Sequence, residues 1–572
     1  MKEKLRALGL WIDRWQKPIL FLAVFGAIFF RYTVWDGGYF WQLDDYIQYI
    51  NYPSCPDYGA LLMEQGLLAS RPLAALTDLY FWSRFNGCMT VCVFLLSALY
   101  AGSAMLWQST LRRRFGTGRM FLILYTLMPF GIEGTYWVSA STRLICGMFW
   151  GSLSLWLLCR FAEEKRPLFA VLYFPALLLA YGYYEQSLVL AAAASLLLML
   201  DFLFKGNRRG LLALWTFGAA GVYFLVTSLF AGAGAISGRM VLALPDNPWY
   251  FKVFLPDVCG QVLEAFFGAG TAITFGGFGR GIQMLFSQGK WLWILGCLAL
   301  AVLLSWLIAK EKTCTVSPVQ AEEKEGKSPR RQILWAYGFG LLLTLAPISI
   351  FFFIANPFYS MRNTVPSFVG LAFLIDLTLR LLLRRQVKLR AVLCGLTVCL
   401  FCVASVSELY DYRATYRNDR AVVETVVEKM QAEEASLKGK RIALIGCNAT
   451  FLQEQNYFFN GHIVGVTGGE WSLYGAMAAH YGGLIPCDVV PMSTNESFLY
   501  SPWETPTKKL DGFDAFWYWD NPNRCVRELF AEPDGAGGYR LVFADDGSFF
   551  ARIWEEPLGD GTCYGYIRFT EA

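Results

Sequence analysis

The chain alternates between long apolar runs and short polar segments over residues 1–407. A membrane-crossing helix needs about 20 mostly apolar residues, because each residue advances the helix by about 1.5 Å. Residues 408–572 contain no comparable run. The pattern predicts a mainly α-helical, polytopic transmembrane bundle over residues 1–407 and a separate domain over residues 408–572. It predicts about eleven crossings, at residues 18–35, 88–108, 120–137, 143–159, 168–184, 187–204, 211–231, 290–309, 333–355, 364–383 and 388–407.

Lysine and arginine residues cluster in polar segments between the apolar runs. Cytoplasmic segments of membrane proteins carry an excess of these residues, and every cluster falls on one side when the crossings are counted in alternation. We therefore expect a multi-pass protein of the cell membrane, with a cytoplasmic N-terminus and an extracytoplasmic domain at residues 408–572. The clusters are Lys2, Lys4, Arg6, Arg14 and Lys17; Arg112, Arg113, Arg114 and Arg119; Arg160, Lys165 and Arg166; Lys205, Arg208 and Arg209; Lys310, Lys312, Lys324, Lys327, Arg330 and Arg331; and Arg384, Arg385, Lys388 and Arg390.

The same count predicts two tight turns on the outer side of the membrane. Residues 120–159 and 168–204 each begin and end beside a basic cluster, so each segment must cross twice. The turns fall at 131–137 and 183–187. Four candidate site residues are thereby placed near the outer surface: Glu133, Arg143, Tyr184 and Glu185.

Three further outer segments connect the predicted crossings. The loops at 36–87 and 232–289 are long, and the turn before the tenth span is short and carries Arg362. Residues 268–281 in the second long loop are rich in glycine, and we expect an irregular connection there. It is either a mobile, glycine-hinged cover over a site at the membrane surface or a connection with no further role.

Composition supports the membrane assignment and excludes some classes of protein. Hydrophobic residues make up 55% of the 572 residues and charged residues only 16%, whereas soluble proteins have about a quarter charged residues. Nucleic-acid binding is not supported, because the basic clusters are short and lie between apolar runs. The two histidines, His462 and His480, both lie beyond the predicted spans, which excludes a mechanism based on a histidine within the membrane.

Residues 408–572 have the pattern of a small α/β domain. The segment 417–437 has helical character, and residues 440–446 and 513–519 have the composition of buried strands. Residues 539–543 and 548–554, joined by Asp545-Asp546-Gly547, predict a β-hairpin. The sequence Ile445-Gly446-Cys447-Asn448 lacks the glycine spacing of a dinucleotide-binding turn, so we predict no nucleotide site there.

The first outer loop carries an adjacent acid pair, Asp44 and Asp45. One interpretation is structural: Asp44 would cap a short helix starting at Asp45, since aspartate is favoured at helix N-termini. The other is catalytic. Neighbouring carboxylates disfavour each other's ionisation, so one has a raised pKa, and a carboxylate can take the proton from an attacking hydroxyl group.

Three arginines lie on the predicted outer side against the general charge bias: Arg71, Arg143 and Arg362. A guanidinium can bind a phosphate with two parallel hydrogen bonds, although each arginine alone could instead pair with lipid headgroups. Glu185 is likewise either a site residue or a solvated acid beside Tyr183 and Tyr184 in an interfacial aromatic belt. Glu133, which lies between two glycines, is either a site residue or a turn residue. Such carboxylates would suit Mg²⁺ or Mn²⁺, but no cofactor is required by the sequence.

Leu43-Asp44-Asp45-Tyr46, followed by Ser70-Arg71-Pro72-Leu73, resembles the first outer loop of GT-C-type membrane glycosyltransferases. The chain is most similar to bacterial serotype-converting O-antigen glucosyltransferases, and the resemblance covers residues 18–407 in topology. It implies that Asp44 or Asp45 is the catalytic base, that Arg71 is a site residue and that the donor is a polyprenyl-phosphate sugar. Ser70 stands where a glycine is commoner.

This resemblance leads us to expect a hexosyltransferase that moves a sugar from a polyprenyl phosphate to an envelope glycan or lipid acceptor outside the membrane. A polysaccharide polymerase or ligase would use a related lipid donor but transfer a longer unit. A flippase for lipid-linked sugars is the third hypothesis. Transporters tend to place ionisable residues near the membrane midplane, whereas here Asp376 is the main deeply placed acid and the other candidates gather at the outer surface.

Overall fold

The structure is a computed structural model that describes residues 15–57, 62, 66–230, 242–246, 248–311, 329–354, 357–384, 386–447, 465–492, 498–500, 510–535, 537–557 and 565–571. The first predicted basic cluster, except Lys17, lies outside the described residues, as do Lys312, Lys324, Lys327, Arg385 and His462.

Helices make up most of the described chain. The longer ones are Gln16–Phe30, Pro72–Tyr80, Thr90–Phe115, Met120–Leu127, Val138–Glu164, Pro167–Tyr183, Glu185–Phe204, Trp215–Phe230, Leu255–Leu263, Gly277–Ser287, Trp291–Ala309, Pro329–Ser349, Phe368–Leu382, Val387–Ala432 and Glu470–Tyr481. Within the described ranges, 9 helical segments are long and apolar enough to cross a membrane: Thr90–Phe115, Val138–Glu164, Glu185–Phe204, Arg208–Phe230, Tyr250–Ser287, Trp291–Ala309, Arg330–Phe352, Met361–Leu382 and Val387–Ala432. The predicted mainly helical architecture with apolar helices of membrane-spanning length is confirmed, while the number of crossings and their placement in a membrane stay predictions.

Two predicted turns coincide with breaks between helices. Tyr184 has an extended backbone, with φ −158° and ψ 137°, and separates Pro167–Tyr183 from Glu185–Phe204. The helix Met120–Leu127 ends before Pro129, because a proline disfavours the helical conformation of the residue before it. A short helix, Ile132–Thr135, then precedes Val138–Glu164. Both breaks carry candidate site residues.

The predicted irregular connection at 268–281 is wrong, because these residues are helical. They belong to a helical segment of 38 residues, Tyr250–Ser287, that contains several π-helical turns. A Cβ atom added at Gly281 would lie 2.2 Å from the carbonyl oxygen of Val403, and one at Gly277 would lie 3.5 Å from that of Ala404. Small residues one helical turn apart let two helices approach closely. The glycines are therefore a packing surface.

Packing divides the chain into two compact units. The first comprises Met1–Tyr39, Leu62–Asp78 and Gly87–Leu409, and the second comprises Phe40–Leu61, Leu79–Asn86 and Tyr410–Ala572. The division near residue 409 lies close to the predicted domain boundary after residue 407. The second unit also contains parts of the first predicted outer loop, which the sequence assigned to the membrane domain.

The second unit contains an eight-stranded mixed sheet. The strands are β1 Arg441–Ile445, β2 Asp488–Met492, β3 Phe498–Tyr500, β4 Ala515–Asp520, β5 Cys525–Pro533, β6 Gly538–Phe543, β7 Phe549–Pro557 and β8 Gly565–Glu571. Their order is β2-β1-β4-β5-β6-β7-β8-β3; β1 is parallel to β2 and β4, and the other neighbours are antiparallel. The two predicted strands and the predicted hairpin, β6–β7, are present.

Residues 40–61 pack within the second unit. Residues 45–54 are helical and lie against the helix Glu470–Tyr481, where a Cβ atom added at Gly475 would be 3.1 Å from the backbone nitrogen of Ile47. In the same unit, the buried carboxylate of Asp419 accepts a hydrogen bond from the backbone N–H of Val466 at 2.8 Å. The turn at Gly465 closes over this carboxylate, because a Cβ there would be 2.4 Å from Asp419 Oδ1.

Candidate functional site

Arg71 lies at the junction of two short helices in the first unit. The helix Leu67–Ser70 ends at Arg71, and Pro72 begins the helix Pro72–Tyr80. A proline is favoured at the first position of a helix and keeps the preceding residue out of the helical conformation. Arg71 accordingly has φ −139° and ψ 68°. The hydroxyl of Tyr223 donates to the carbonyl oxygen of Ser70 at 2.8 Å and fixes this junction.

Arg71 pairs with Glu185, the first residue of the helix Glu185–Phe204. Its Nε lies 3.0 Å from each carboxylate oxygen, and its guanidinium lies 4.4 Å from the ring centroid of Tyr184. A carboxylate is favoured at a helix N-terminus, because the backbone N–H groups there carry partial positive charge. The two side chains remain 31% and 25% exposed. A guanidinium that is held from one side is therefore still open to an incoming anion.

A network of neutral polar side chains connects this pair to a second arginine. The side-chain amide of Asn363 donates to the Tyr184 hydroxyl at 3.0 Å and to the side-chain oxygen of Gln186 at 3.1 Å. Gln186 in turn donates to the backbone carbonyl of Asn363 at 3.0 Å. These groups tie the break at Tyr184 to the turn Met361–Ser367, which carries Arg362.

Glu133 holds that turn in place. Its carboxylate, only 4% exposed, accepts a hydrogen bond from the backbone N–H of Arg362 at 2.9 Å and one from the Ser360 hydroxyl at 3.2 Å. Arg362 Nε lies 3.7 Å from the same carboxylate, and its guanidinium lies over the ring of Trp137. Gly134 permits this approach, because an added Cβ would lie 3.0 Å from the carbonyl oxygen of Arg362.

Arg143 lies on the helix Val138–Glu164 and pairs with an acid that sequence reasoning did not single out. Its Nε is 3.7 Å from a carboxylate oxygen of Asp78, with the side chains 20% and 7% exposed. All three predicted outer arginines thus lie in the first unit, and each has a carboxylate that is less exposed than the guanidinium. A phosphate could approach each arginine from its exposed side without displacing the carboxylate.

The acid pair belongs to the second unit, and its two members differ in burial. Asp45 is fully buried, and its carboxylate accepts a hydrogen bond from the backbone N–H of Gln42 at 2.9 Å. Asp44 is half-buried and immediately precedes the helical residues 45–54. A base must contact a substrate hydroxyl group. Asp44 is therefore the better-placed candidate, and Asp45 better fits a role in holding the loop.

Sequence reasoning missed four residues that bear on the arginines: Asp78, Gln186, Ser360 and Asn363. Gln186 and Asn363 each directly follow a predicted site residue in a short polar turn, and that adjacency was the available signal. A fifth omission is Arg31, at the end of the first apolar run. It is fully buried, and its guanidinium donates to the hydroxyls of Tyr32 and Thr135. A positive charge so placed within an apolar run is uncommon.

In the part of the chain that the structure describes, no group of three or more His, Cys, Asp or Glu side chains could hold a metal ion. Glu133 and Glu185 each bond to an arginine instead. The Mg²⁺ or Mn²⁺ site considered from the sequence therefore has no such ligand set among those residues.

The arrangement is suited to holding an anion beside apolar helices. Charge-assisted bonds from a guanidinium to phosphate are stronger than neutral ones, and the aromatic faces of Tyr184 and Trp137 keep Arg71 and Arg362 in place. Comparison with known proteins found no family model that matches this chain and no curated protein that matches it.

Proposed function

We propose that the chain is a membrane glycosyltransferase that moves a sugar from a polyprenyl phosphate to a cell-envelope glycan or lipid acceptor. The observation that carries the proposal is the linked set Arg71–Glu185, Tyr184–Asn363 and Arg362–Glu133. It presents two partly exposed guanidinium groups beside helices of membrane-spanning length. A phosphate carried on a long apolar chain needs both features.

The transfer breaks the bond between the anomeric carbon and the phosphate oxygen. The acceptor oxygen bonds to the anomeric carbon, the departing polyprenyl phosphate keeps the electron pair, and a base takes the acceptor's proton. Preorganised charges that face the developing negative charge lower this barrier. Arg71 and Arg362 would supply them, and Arg143 would bind the donor or acceptor near Asp78.

The base in this proposal is Asp44 or Asp45, with Asp44 favoured because this residue is only half-buried, whereas Asp45 is fully buried. A correctly placed carboxylate base contributes about 10²–10⁴-fold to a reaction rate. Asp45, which is fully buried and bonded to the backbone of Gln42, would position the loop that carries Asp44.

The proposal places the reaction on the outer side of the cell membrane, with a cytoplasmic N-terminus and an outer second domain, in a GT-C-like bundle of about eleven crossings. This orientation requires that Tyr250–Ser287 makes no net crossing. Lys252, Asp257 and Glu264 are exposed along that segment, and exposed charges favour the interface over the hydrocarbon core.

The orientation predicts that Cys88, which is exposed, lies outside. A membrane-impermeant maleimide should label it in intact cells, and Cys88→Ser should remove that label. If Cys88 were labelled only in permeabilised cells, the proposed orientation would be wrong. That result would not test the proposed sugar-transfer reaction.

The catalytic proposal is tested by transfer of a radiolabelled hexose from polyprenyl phosphate to envelope glycan. We expect Asp44→Asn to lose about 10²–10⁴-fold in rate, while Asp57→Asn, a change of an exposed acid in the same loop, retains activity. Full activity of both Asp44→Asn and Asp45→Asn would reject the acid pair as the base. Transfer of a whole oligosaccharide would identify a polymerase or ligase, and lipid movement without a glycosidic product would identify a flippase.

A further inference from the structure

A small cavity lies among the ends of several helices of the first unit, separate from the arginine pairs described above. Its volume is about 10 Å³, and its polar lining is Glu311, Asp376, Arg380 and Arg390. Glu311 follows the helix Trp291–Ala309, Asp376 and Arg380 lie in Phe368–Leu382, and Arg390 lies in the first turn of Val387–Ala432. A space of this size holds one water-sized group.

The acid lies deep in the cavity and the arginines lie nearer its mouth. Asp376 is 1% exposed, whereas Arg380 and Arg390 are half-buried. The Asp376 Oδ2 atom accepts the backbone N–H of Gly118 at 2.7 Å, but Oδ1 has no hydrogen bond of normal geometry. Arg390 Nε is likewise buried without an acceptor. A buried polar atom without a partner is costly. The Asp376 Oδ1 atom at the base of the cavity therefore lacks a hydrogen-bond donor, and Arg390 Nε nearer the mouth lacks an acceptor.

Gly118 lies beside three of the polar residues that line this cavity. A Cβ atom added there would lie 2.9 Å from Asp376 Oδ1, 3.1 Å from Arg380 Cδ and 3.3 Å from a Glu311 carboxylate oxygen. The absence of a side chain at this position therefore leaves the space beside the carboxylate open.

We propose that the cavity binds the headgroup of an aminophospholipid of the ethanolamine type. The primary ammonium donates to Asp376 and Glu311, and the phosphate accepts from Arg380 and Arg390. An ammonium is about the size of a water molecule and fits the base of the cavity. The trimethylated nitrogen of choline has no N–H and is too large, and a glycerol headgroup brings no positive charge to the buried acid.

The position of the cavity identifies the ligand as a lipid. Helices of membrane-spanning length end beside it, and pockets with basic residues between such helices contact phospholipid headgroups. The acid at the base distinguishes this pocket from one built for a purely anionic lipid. The inference is independent of the proposed sugar transfer, which uses a different set of residues.

The test measures which lipid stays bound to the full-length protein in detergent. The purified protein is exchanged into mixed micelles of phosphatidylethanolamine, phosphatidylcholine and phosphatidylglycerol, and bound lipid is identified by native mass spectrometry. We expect phosphatidylethanolamine to be retained at least about tenfold over phosphatidylcholine, which corresponds to about 1.4 kcal/mol.

Two variants and a control separate the site from general lipid adhesion. Gly118→Ala places a methyl group 2.9 Å from Asp376 Oδ1 without changing charge, and Asp376→Asn removes the deep carboxylate; both should abolish the preference. Gly221→Ala, where an added Cβ meets nothing within 4 Å, should keep it. Equal retention of the three lipids by the wild type, a preference for phosphatidylglycerol, or an unchanged preference in Gly118→Ala would overturn the proposal. If Asp376→Asn fails to fold, Gly118→Ala alone decides.

Discussion

In each of the three arginine–carboxylate pairs of the candidate site, the carboxylate is more buried than the guanidinium. This difference indicates that the two partners have different roles. The carboxylate side chains of Glu133 and Asp78 are 4% and 7% exposed, whereas the guanidinium side chains of their partners, Arg362 and Arg143, are 27% and 20% exposed. A partly exposed ion pair contributes about 1 kcal/mol or less to stability. These arginines are therefore expected to matter more for binding an anion than for folding.

Arg71→Lys tests that expectation. Lysine keeps the charge but loses the planar, two-pronged geometry of the guanidinium, so the rate of sugar transfer should fall by about 10²-fold or more while the thermal midpoint changes little. Arg113→Lys is the matched control, because Arg113 pairs with Glu163 at similar exposure elsewhere in the first unit. A large drop in thermal stability with Arg71→Lys, or equal activity of both variants, would contradict the assigned role.

The three arginines and two of their carboxylate partners were predictable from the sequence, but Asp78 and the neutral polar residues around the pairs were not. Arg71 stands out because it lies against the charge bias and before Pro72, and Glu185 because it interrupts an apolar run. Asp78 carries no local signal, since it lies in an ordinary helical turn. The only local signal of Asn363 is its position directly after Arg362, because its contacts are with Tyr184 and Gln186 of a distant segment. Contacts between residues so distant in sequence depend on how the helices pack.

At the scale of the helices, polar turns were correctly located and a glycine-rich segment was misjudged. The break at Tyr184 was predicted because basic clusters at both ends require two crossings. Residues 268–281 were expected to be irregular, since glycine usually marks turns. In helices of a membrane protein, glycine instead permits close packing, and the sequence alone does not distinguish these two uses.

Gly281→Ala should destabilise this packing by about 1–3 kcal/mol, because the new methyl group would overlap the backbone of Val403. Gly279→Ala is the matched control on the same helix, where an added Cβ meets nothing within 4 Å. That change should be neutral or should stabilise the helix by about 0.5–1 kcal/mol. Thermal unfolding in detergent measures both effects. Equal unfolding midpoints for the two variants would show that the close approach of Gly281 to Val403 does not contribute to stability.

At the scale of the whole molecule, the stability of the second unit should depend on pH. The helix Val387–Ala432 is apolar only as far as Ser407, so Asp419 lies beyond its membrane-spanning part. Burial raises the pKa of Asp419 to about 7, although Val466 and Thr467 donate hydrogen bonds to it. An ordinary aspartate titrates near 4.

The folded second unit therefore binds a proton that the unfolded chain releases between about pH 4 and 7. Its stability should fall as the pH rises through this window. Hydrogen exchange of residues 465–492, measured from pH 4 to 8 in the full-length protein and corrected for the intrinsic exchange rate, follows that loss. Asp419→Asn should flatten the profile, whereas Asp488→Asn, at an exposed position, should leave it unchanged. If hydrogen exchange in the wild type, after this correction, did not change with pH, the prediction that the buried Asp419 carboxyl group is protonated in the folded unit would be wrong.

The sequence also predicted four of the eight strands of the second unit, but it did not predict that residues 40–61 belong to this unit. The strands β1 and β4 were predicted from their apolar composition, and the β6–β7 hairpin from the turn at Asp545-Asp546-Gly547. Residues 40–61 were assigned to the membrane part, because their aromatic and acidic residues directly follow an apolar run. Their packing against the helix Glu470–Tyr481 depends on a partner that is far away in sequence and could not be inferred locally.

The packing of residues 40–61 in the second unit has a consequence for how the chain folds while it is being synthesised. Residues 40–61 leave the ribosome early, but their partners from residue 410 onward follow only after about 350 further residues, or roughly 20 to 70 seconds at ordinary elongation rates. During that interval the aromatic face around Trp41, Tyr46 and Tyr49 has no native partner and is a natural target for a chaperone. Pulse-labelled cells should show protease cleavage near residues 40–61 in nascent chains that is lost on completion. A fragment of residues 408–572 alone would lack the same segment and leave the helix Glu470–Tyr481 uncovered.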